Sequence, residues 1–209
     1  MKKTIMLAVI LVIAISAFSQ KRTDKGVFKN AFYVRFGYGF VGGDLKSFNL
    51  INRDAQFELG SLFYINALNL PEKLKLGIDA TYISLSGFAE KDSLMKNHKS
   101  VSYLTAGAKL GPCLSYNFAG KWIADLYFKI HPNGFSPVQQ DNTYRAPIQF
   151  KMGTSFGLNI RWKALMLGTE FTSTKYDFKI FSPVSKALNS STPTTIKLPA
   201  ANLSLGVNF

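Results

Sequence analysis

The 209-residue chain has one cysteine, Cys113, so no internal disulfide can form and the cross-linked framework of many small exported domains is excluded. Beyond residue 18 it contains no run of 18 apolar residues, which excludes a membrane-spanning helix in that part of the chain. Apolar spacing with the 3.6-residue period of an amphipathic helix is also hard to find. Two histidines and a lone cysteine make no ligand cluster for a metal, and no glycine-rich phosphate loop or nucleotide motif is present, so no metal or other cofactor is expected. Acidic side chains are scarce, 12 against 25 Lys and Arg, for a formal net charge of +13. No basic stretch is dense enough for a groove binder, so nucleic acid is not an expected partner. For an exported protein, anionic head groups of membrane lipid and the phosphates of lipopolysaccharide are the natural counter-charges.

Aromatics are abundant, with 18 Phe and 9 Tyr, and they favour strands. At the N-terminus, Lys2 and Lys3 precede an unbroken apolar run from Ile5 to Ala14 that continues to Phe18, and Ala17-Phe18-Ser19 places small residues where a signal peptide is cut. Residues 1–19 are therefore expected to be a secretory signal, with the mature chain starting at Gln20, a short periplasmic segment over 20–30, and one domain over 31–209. With no spanning helix available, a membrane form of this domain has to cross as strands closed into a barrel.

Period-2 alternation predicts eight strands, at about 31–40, 55–66, 73–86, 101–117, 121–131, 147–161, 164–178 and 196–209. The apolar faces include Phe32, Val34, Phe36 and Tyr38 in the first and Trp122, Ala124, Leu126, Phe128 and Ile130 in the fifth, and no charge is expected on this face. Ten glycines fall on the opposite, polar face, where the interior of a small barrel is crowded. Connections alternate between tight (67–72, 118–120, 162–163) and long polar segments (41–54, 87–100, 132–146, 179–195), the asymmetry of periplasmic turns and outer loops. The expected fold is all-β, an eight-stranded antiparallel up-and-down transmembrane β-barrel. Alternation alone leaves open a secreted lipocalin-like barrel with its apolar face inside. Pro112, within the fourth strand, predicts a bulge near the periplasmic end, and the phase reversal at Ile83 and Leu85 predicts another bulge or the end of the membrane band.

On the polar face, Arg35, Lys75, Lys109, Lys129, Lys151 and Arg161 are set against Glu58, Asp79, Asp125 and Glu170, a composition suited to an ion-pair network filling the lumen. A small-solute pore is the alternative, although eight strands leave room only for side chains. His131, Ser136 and Asp141 could in principle form the acid–base group of a lipid A-modifying hydrolase, but strand parity turns His131 to the lumen while Ser136 and Asp141 fall in the loop. No enzyme is expected on that count.

The final strand alternates through Leu203, Leu205, Val207 and the terminal Phe209, and with the export signal this resembles the assembly signal of bacterial outer-membrane barrels. The chain is similar to the small OmpX and OmpA-barrel type, and the signal ending before Gln20 resembles Bacteroidota exports. The resemblance implies insertion by the outer-membrane assembly machinery and residence in the outer membrane, as a monomer, with a structural, adhesive or recognition role for the long loops.

Overall fold

The computed structural model describes residues 27–42, 53–65, 68–89, 101–139, 148–178 and 194–209. Eight strands run β1 (Ala31–Val41), β2 (Arg53–Tyr64), β3 (Leu74–Ala89), β4 (Val101–Ala119), β5 (Trp122–Gln139), β6 (Gln149–Trp162), β7 (Leu165–Phe178) and β8 (Thr194–Asn208). Each pairs with its sequence neighbour, and β8 returns antiparallel to β1, with Leu205 opposite Phe36 and Val207 opposite Val34, so the barrel is closed. Closure gives every strand two partners and leaves no edge, the condition for a sheet in hydrocarbon.

The alternation places charge inside and oil outside. In β1, Tyr33, Arg35, Gly37 and Gly39 are buried while Phe32, Phe36, Tyr38 and Phe40 are exposed. Glu58 and Lys129 are 0% exposed, whereas Phe150, Met152 and Leu205 are 79%, 62% and 63% exposed. A protein folded in water avoids this distribution, since buried charge is expensive and exposed apolar area gains nothing. It is the arrangement of a transmembrane barrel, and it sets aside the lipocalin-like alternative.

Two tight turns join strands at the end where β1 begins. Gly120-Lys121 connects β4 to β5, with Gly120 at φ +52°, a left-handed backbone that glycine adopts without penalty. Lys163-Ala164 connects β6 to β7, and there a lysine holds φ +54°, its ammonium 4.8 Å from the Trp162 ring. Around these turns lie Phe118, Trp122 and Trp162, the two indoles stacked at 5.7 Å, as in the aromatic girdle at a membrane interface.

β1, β2, β3, β5 and β8 reach farther toward the long loops than the alternation predicts. β5 continues through Pro132 and Pro137 to Gln139, so Ser136 belongs to a strand and the loop expected from residue 132 does not start there. Each proline removes one ladder N–H, and the pairing with β4 and β6 on both sides carries the strand past them. Gly134 consequently lies on the outer face, covered by Phe150 and Ile148. Lys175 and Lys197, exposed and directly opposite each other, also lie on the outer face at the loop end of β7 and β8. The outer face is thus free of charge only up to about the level of Phe171.

No bulge accompanies Pro112. It pairs with Ile78, and the register of β4 against β3 and β5 is the same on either side of it, so the cost is one missing hydrogen bond with no inserted residue. The bulge lies in β3, where Tyr82 and Ile83 both face outward and the pairing shifts between Thr81 and Ser84. That extra residue turns Ser84 and Ser86 into the lumen. Before β1, Phe28 packs edge-on against Tyr64 at 5.4 Å, and the Asn30 side-chain oxygen accepts the Tyr64 N–H at 2.8 Å, tying this segment to the turn-side end of β2.

Candidate functional site in the barrel lumen

At mid-lumen four charged residues from four strands meet. Arg35 (β1) lies against Glu58 (β2) and donates to Glu170 (β7) at 2.6 Å, while Lys109 (β4) is held between the same two carboxylates. The remaining donors and acceptors are also used: Arg35 reaches the Tyr127 hydroxyl at 2.9 Å, Tyr127 donates to Glu170 at 2.9 Å, and Gln56 and Ser84 donate to Glu58 at 2.6 and 3.1 Å. Beside this quartet, Lys129 pairs with Asp79 at 2.8 Å and sits 4.3 Å from the Tyr127 ring centroid, and Tyr33 donates to Asp79 at 2.7 Å. Toward the turns, Arg161 grips Asp125 and the Tyr64 hydroxyl, and Ser115 donates to Asp125 at 2.5 Å.

Removing these charges from water costs several kcal/mol per ion, and that cost is met only where geometry is good and the remaining lone pairs are bonded. Here they are. Eight of the ten charges singled out in the sequence are buried in these clusters: Arg35, Glu58, Asp79, Lys109, Asp125, Lys129, Arg161 and Glu170. Lys75 and Lys151 are half-buried nearer the turn and loop ends. Tyr33, Tyr127 and Tyr64, not singled out in the sequence, stand on the same inward parity and supply rings and hydroxyls to the charges. Glycine makes the room for two of these rings: a Cβ at Gly157 would run into the Tyr127 hydroxyl, and one at Gly60 would lie 2.6 Å from the Tyr33 ring.

The arrangement ties these side chains to one another across the lumen. His131 is buried against Gly153, with Nε2 3.5 Å from the Thr174 hydroxyl, while Ser136 pairs opposite Leu104 on the outward parity. The histidine and serine are thus on opposite faces of β5; Asp141 and His98 lie outside the described residues. Among the described residues no three His, Cys, Asp or Glu side chains gather as a metal cluster, and Cys113 is buried with a free thiol.

Along β8, Leu203 and Leu205 are exposed on the outer face, Val207 and Phe209 are half-buried on the same parity, and the Phe209 N–H donates to the Phe32 carbonyl at 2.8 Å. The Phe209 ring lies 6.1 Å from that of Phe32, so the last residue is stapled across the seam that closes the barrel.

An eight-stranded antiparallel barrel, charged within and apolar without, defines the class: a small β-barrel of the outer-membrane type. No family model matches the chain, and no curated protein matches it significantly. Among solved structures, the chain is similar to Neisserial surface protein A, with a TM-score of 0.49 and 9% identity over 86% of this chain and 95% of that one. It is also similar to Ail, the attachment invasion locus protein of Yersinia pestis, with a TM-score of 0.46 and 9% identity over 86% and 97%. A major outer membrane protein from Thermus thermophilus gives a TM-score of 0.41 and 15% identity over 87% and 100%.

Proposed function

We propose that this is an exported, non-enzymatic outer-membrane barrel whose activity resides in the segments joining its strands on the long-loop side, in structural, adhesive or surface-recognition work. The observation that carries this reading is the filled lumen: with Arg35, Glu58, Lys109 and Glu170 bonded to one another across the barrel axis, solutes have no path and the site of action moves to the outer rim. Lys175 and Lys197 lie at the loop-side margin of the apolar band, and in this reading the lipopolysaccharide phosphates outside the barrel are their counter-charges. In the same reading residues 1–19 direct export, Leu203, Leu205, Val207 and Phe209 are read by the barrel-assembly machinery, and the inserted protein is a monomer.

Two measurements test it. Fractionation of cells should place the protein in the outer membrane with a mature N-terminus at Gln20 by mass spectrometry; a mature species beginning at Met1 would refute the export step. In planar bilayers the purified barrel should give little or no conductance, whereas large, stable single-channel steps would establish the small-solute pore instead.

A further inference from the structure

Counting only the fully buried charges, and so leaving aside the half-buried Lys75 and Lys151, the lumen has more carboxylates than cations. Four cations, Arg35, Lys109, Lys129 and Arg161, face five carboxylates, Asp54, Glu58, Asp79, Asp125 and Glu170. The quartet and the two flanking pairs match all four cations with Glu58, Glu170, Asp79 and Asp125, which leaves Asp54 over. Asp54, 3% exposed near the start of β2, accepts the Asn202 amide at Oδ2 at 3.2 Å and has the Ser86 hydroxyl beside it, while its Oδ1 has no hydrogen-bond partner among the described residues. An ionised carboxylate in such a place is costly unless a positive charge joins it.

Other side-chain oxygens near it also lack a donor. Asp54 lines a cavity of about 50 Å³ on the loop side of the charge network, together with Gln56, His131, Asn133 and Asn202. Asn202, 5% exposed, and Asn133 each present a side-chain oxygen that likewise lacks a protein donor among the described residues, while their amides are spent on Asp54, Gln56 and Tyr176. Lys109 also borders the cavity, but its ammonium is held by Glu58 and Glu170. The surplus around the cavity is therefore of oxygen acceptors, one of them a carboxylate. One water needs about 10–15 Å³ of such space, so the cavity takes an ion with a few waters, and it is far too small for a sugar or nucleotide.

We infer that this cavity binds a small hard cation, with the Asp54 carboxylate as its charged ligand and the side-chain oxygens of Asn202 and Asn133 available to it directly or through water. Carboxylate and amide oxygens suit cations of the Ca2+ or Na+ kind better than softer metals. A single carboxylate gives weak binding, about millimolar, suited to an extracellular face. The inference is independent of what the loops recognise.

The test uses the full-length barrel refolded in detergent free of lipopolysaccharide, with thermal unfolding followed against added CaCl2, NaCl and, as a control of ionic strength, choline chloride. Saturating CaCl2 should raise the unfolding midpoint by about 3–5 °C over choline chloride, and equilibrium dialysis should give one Ca2+ per barrel. In Asp54→Asn the shift and the bound ion should both disappear. Should that variant fail to fold, Asn202→Asp, which adds a second carboxylate beside Asp54, should lower the half-saturating Ca2+ concentration about tenfold. The inference is overturned if neither CaCl2 nor NaCl shifts the wild type beyond choline, as when water alone or a lysine of this chain satisfies Asp54, or if Asp54→Asn responds like the wild type.

Discussion

Replacing Glu170 with alanine is expected to destabilise the barrel by about 3–5 kcal/mol, because it breaks a buried ion pair from one side and leaves the other side charged. Glu170 accepts from Arg35, Lys109 and Tyr127 at once, and with its carboxylate gone two cations must share Glu58 alone. The two partners come from β1 and β4, so the loss loosens contacts across the barrel rather than along one hairpin. Urea unfolding of the refolded protein, followed by Trp122 and Trp162 fluorescence, measures the change. On an SDS gel the unboiled variant should lose its folded band at a lower temperature than the wild type. Lys75→Ala provides the contrast: half-buried near the turn end, it should cost no more than about 1 kcal/mol. Equal losses at Glu170 and Lys75 would mean that the lumen network contributes nothing beyond its local packing.

The barrel is legible in the sequence because a two-residue period has no tolerance for error: a slip by one position would carry Arg35 and Glu58 into lipid and Phe36 and Phe57 into the lumen. That is why the strand count, the strand order and the inward set follow from alternation. The ends of the strands follow less well. Pro132, Asn133-Gly134 and Pro137 carry turn chemistry, and reading them as a loop ends β5 at residue 131; in the fold, partners on both sides hold the strand to Gln139. The loss of a single ladder bond at a proline is a small perturbation when the neighbouring bonds on both flanks are kept, and Pro112 shows the same thing.

Boundary errors propagate to the site. Starting β2 at 55 leaves Asp54 in a loop and out of the charge count, whereas the strand begins at Arg53 and carries Asp54 inward. Only the full count exposes the fifth carboxylate. Tyr33 and Tyr127 were readable by parity, since they alternate with Arg35 and Lys129 on the polar face. A tyrosine amid aromatics draws attention as a lipid-facing residue, and only the third dimension sets its ring over a lysine. Which cation meets which carboxylate depends on the stagger of eight strands around a closed cylinder, and composition carries no trace of that.

Two successive residues of β6 test the inside-out arrangement most directly. Leu158 lies on the outer face between Trp162 at the turn-side rim and Phe150 toward the loops, paired opposite Leu126. Leu158→Arg puts a charge against hydrocarbon near mid-depth, and the expected cost is about 2–4 kcal/mol on unfolding in lipid vesicles. A soluble barrel with this residue facing water would tolerate the change within about 0.5 kcal/mol. Gly157, one position earlier, points the other way, and its missing Cβ is what lets the Tyr127 hydroxyl approach. Gly157→Val should therefore also destabilise, by about 1–3 kcal/mol, but through overpacking and displacement of Tyr127 from Arg35 and Glu170. The two variants are told apart by adding Tyr127→Phe, which removes the clashing hydroxyl: it should relieve part of the Gly157→Val penalty and leave the Leu158→Arg penalty untouched, since the arginine's cost depends on the lipid and not on anything inside the barrel.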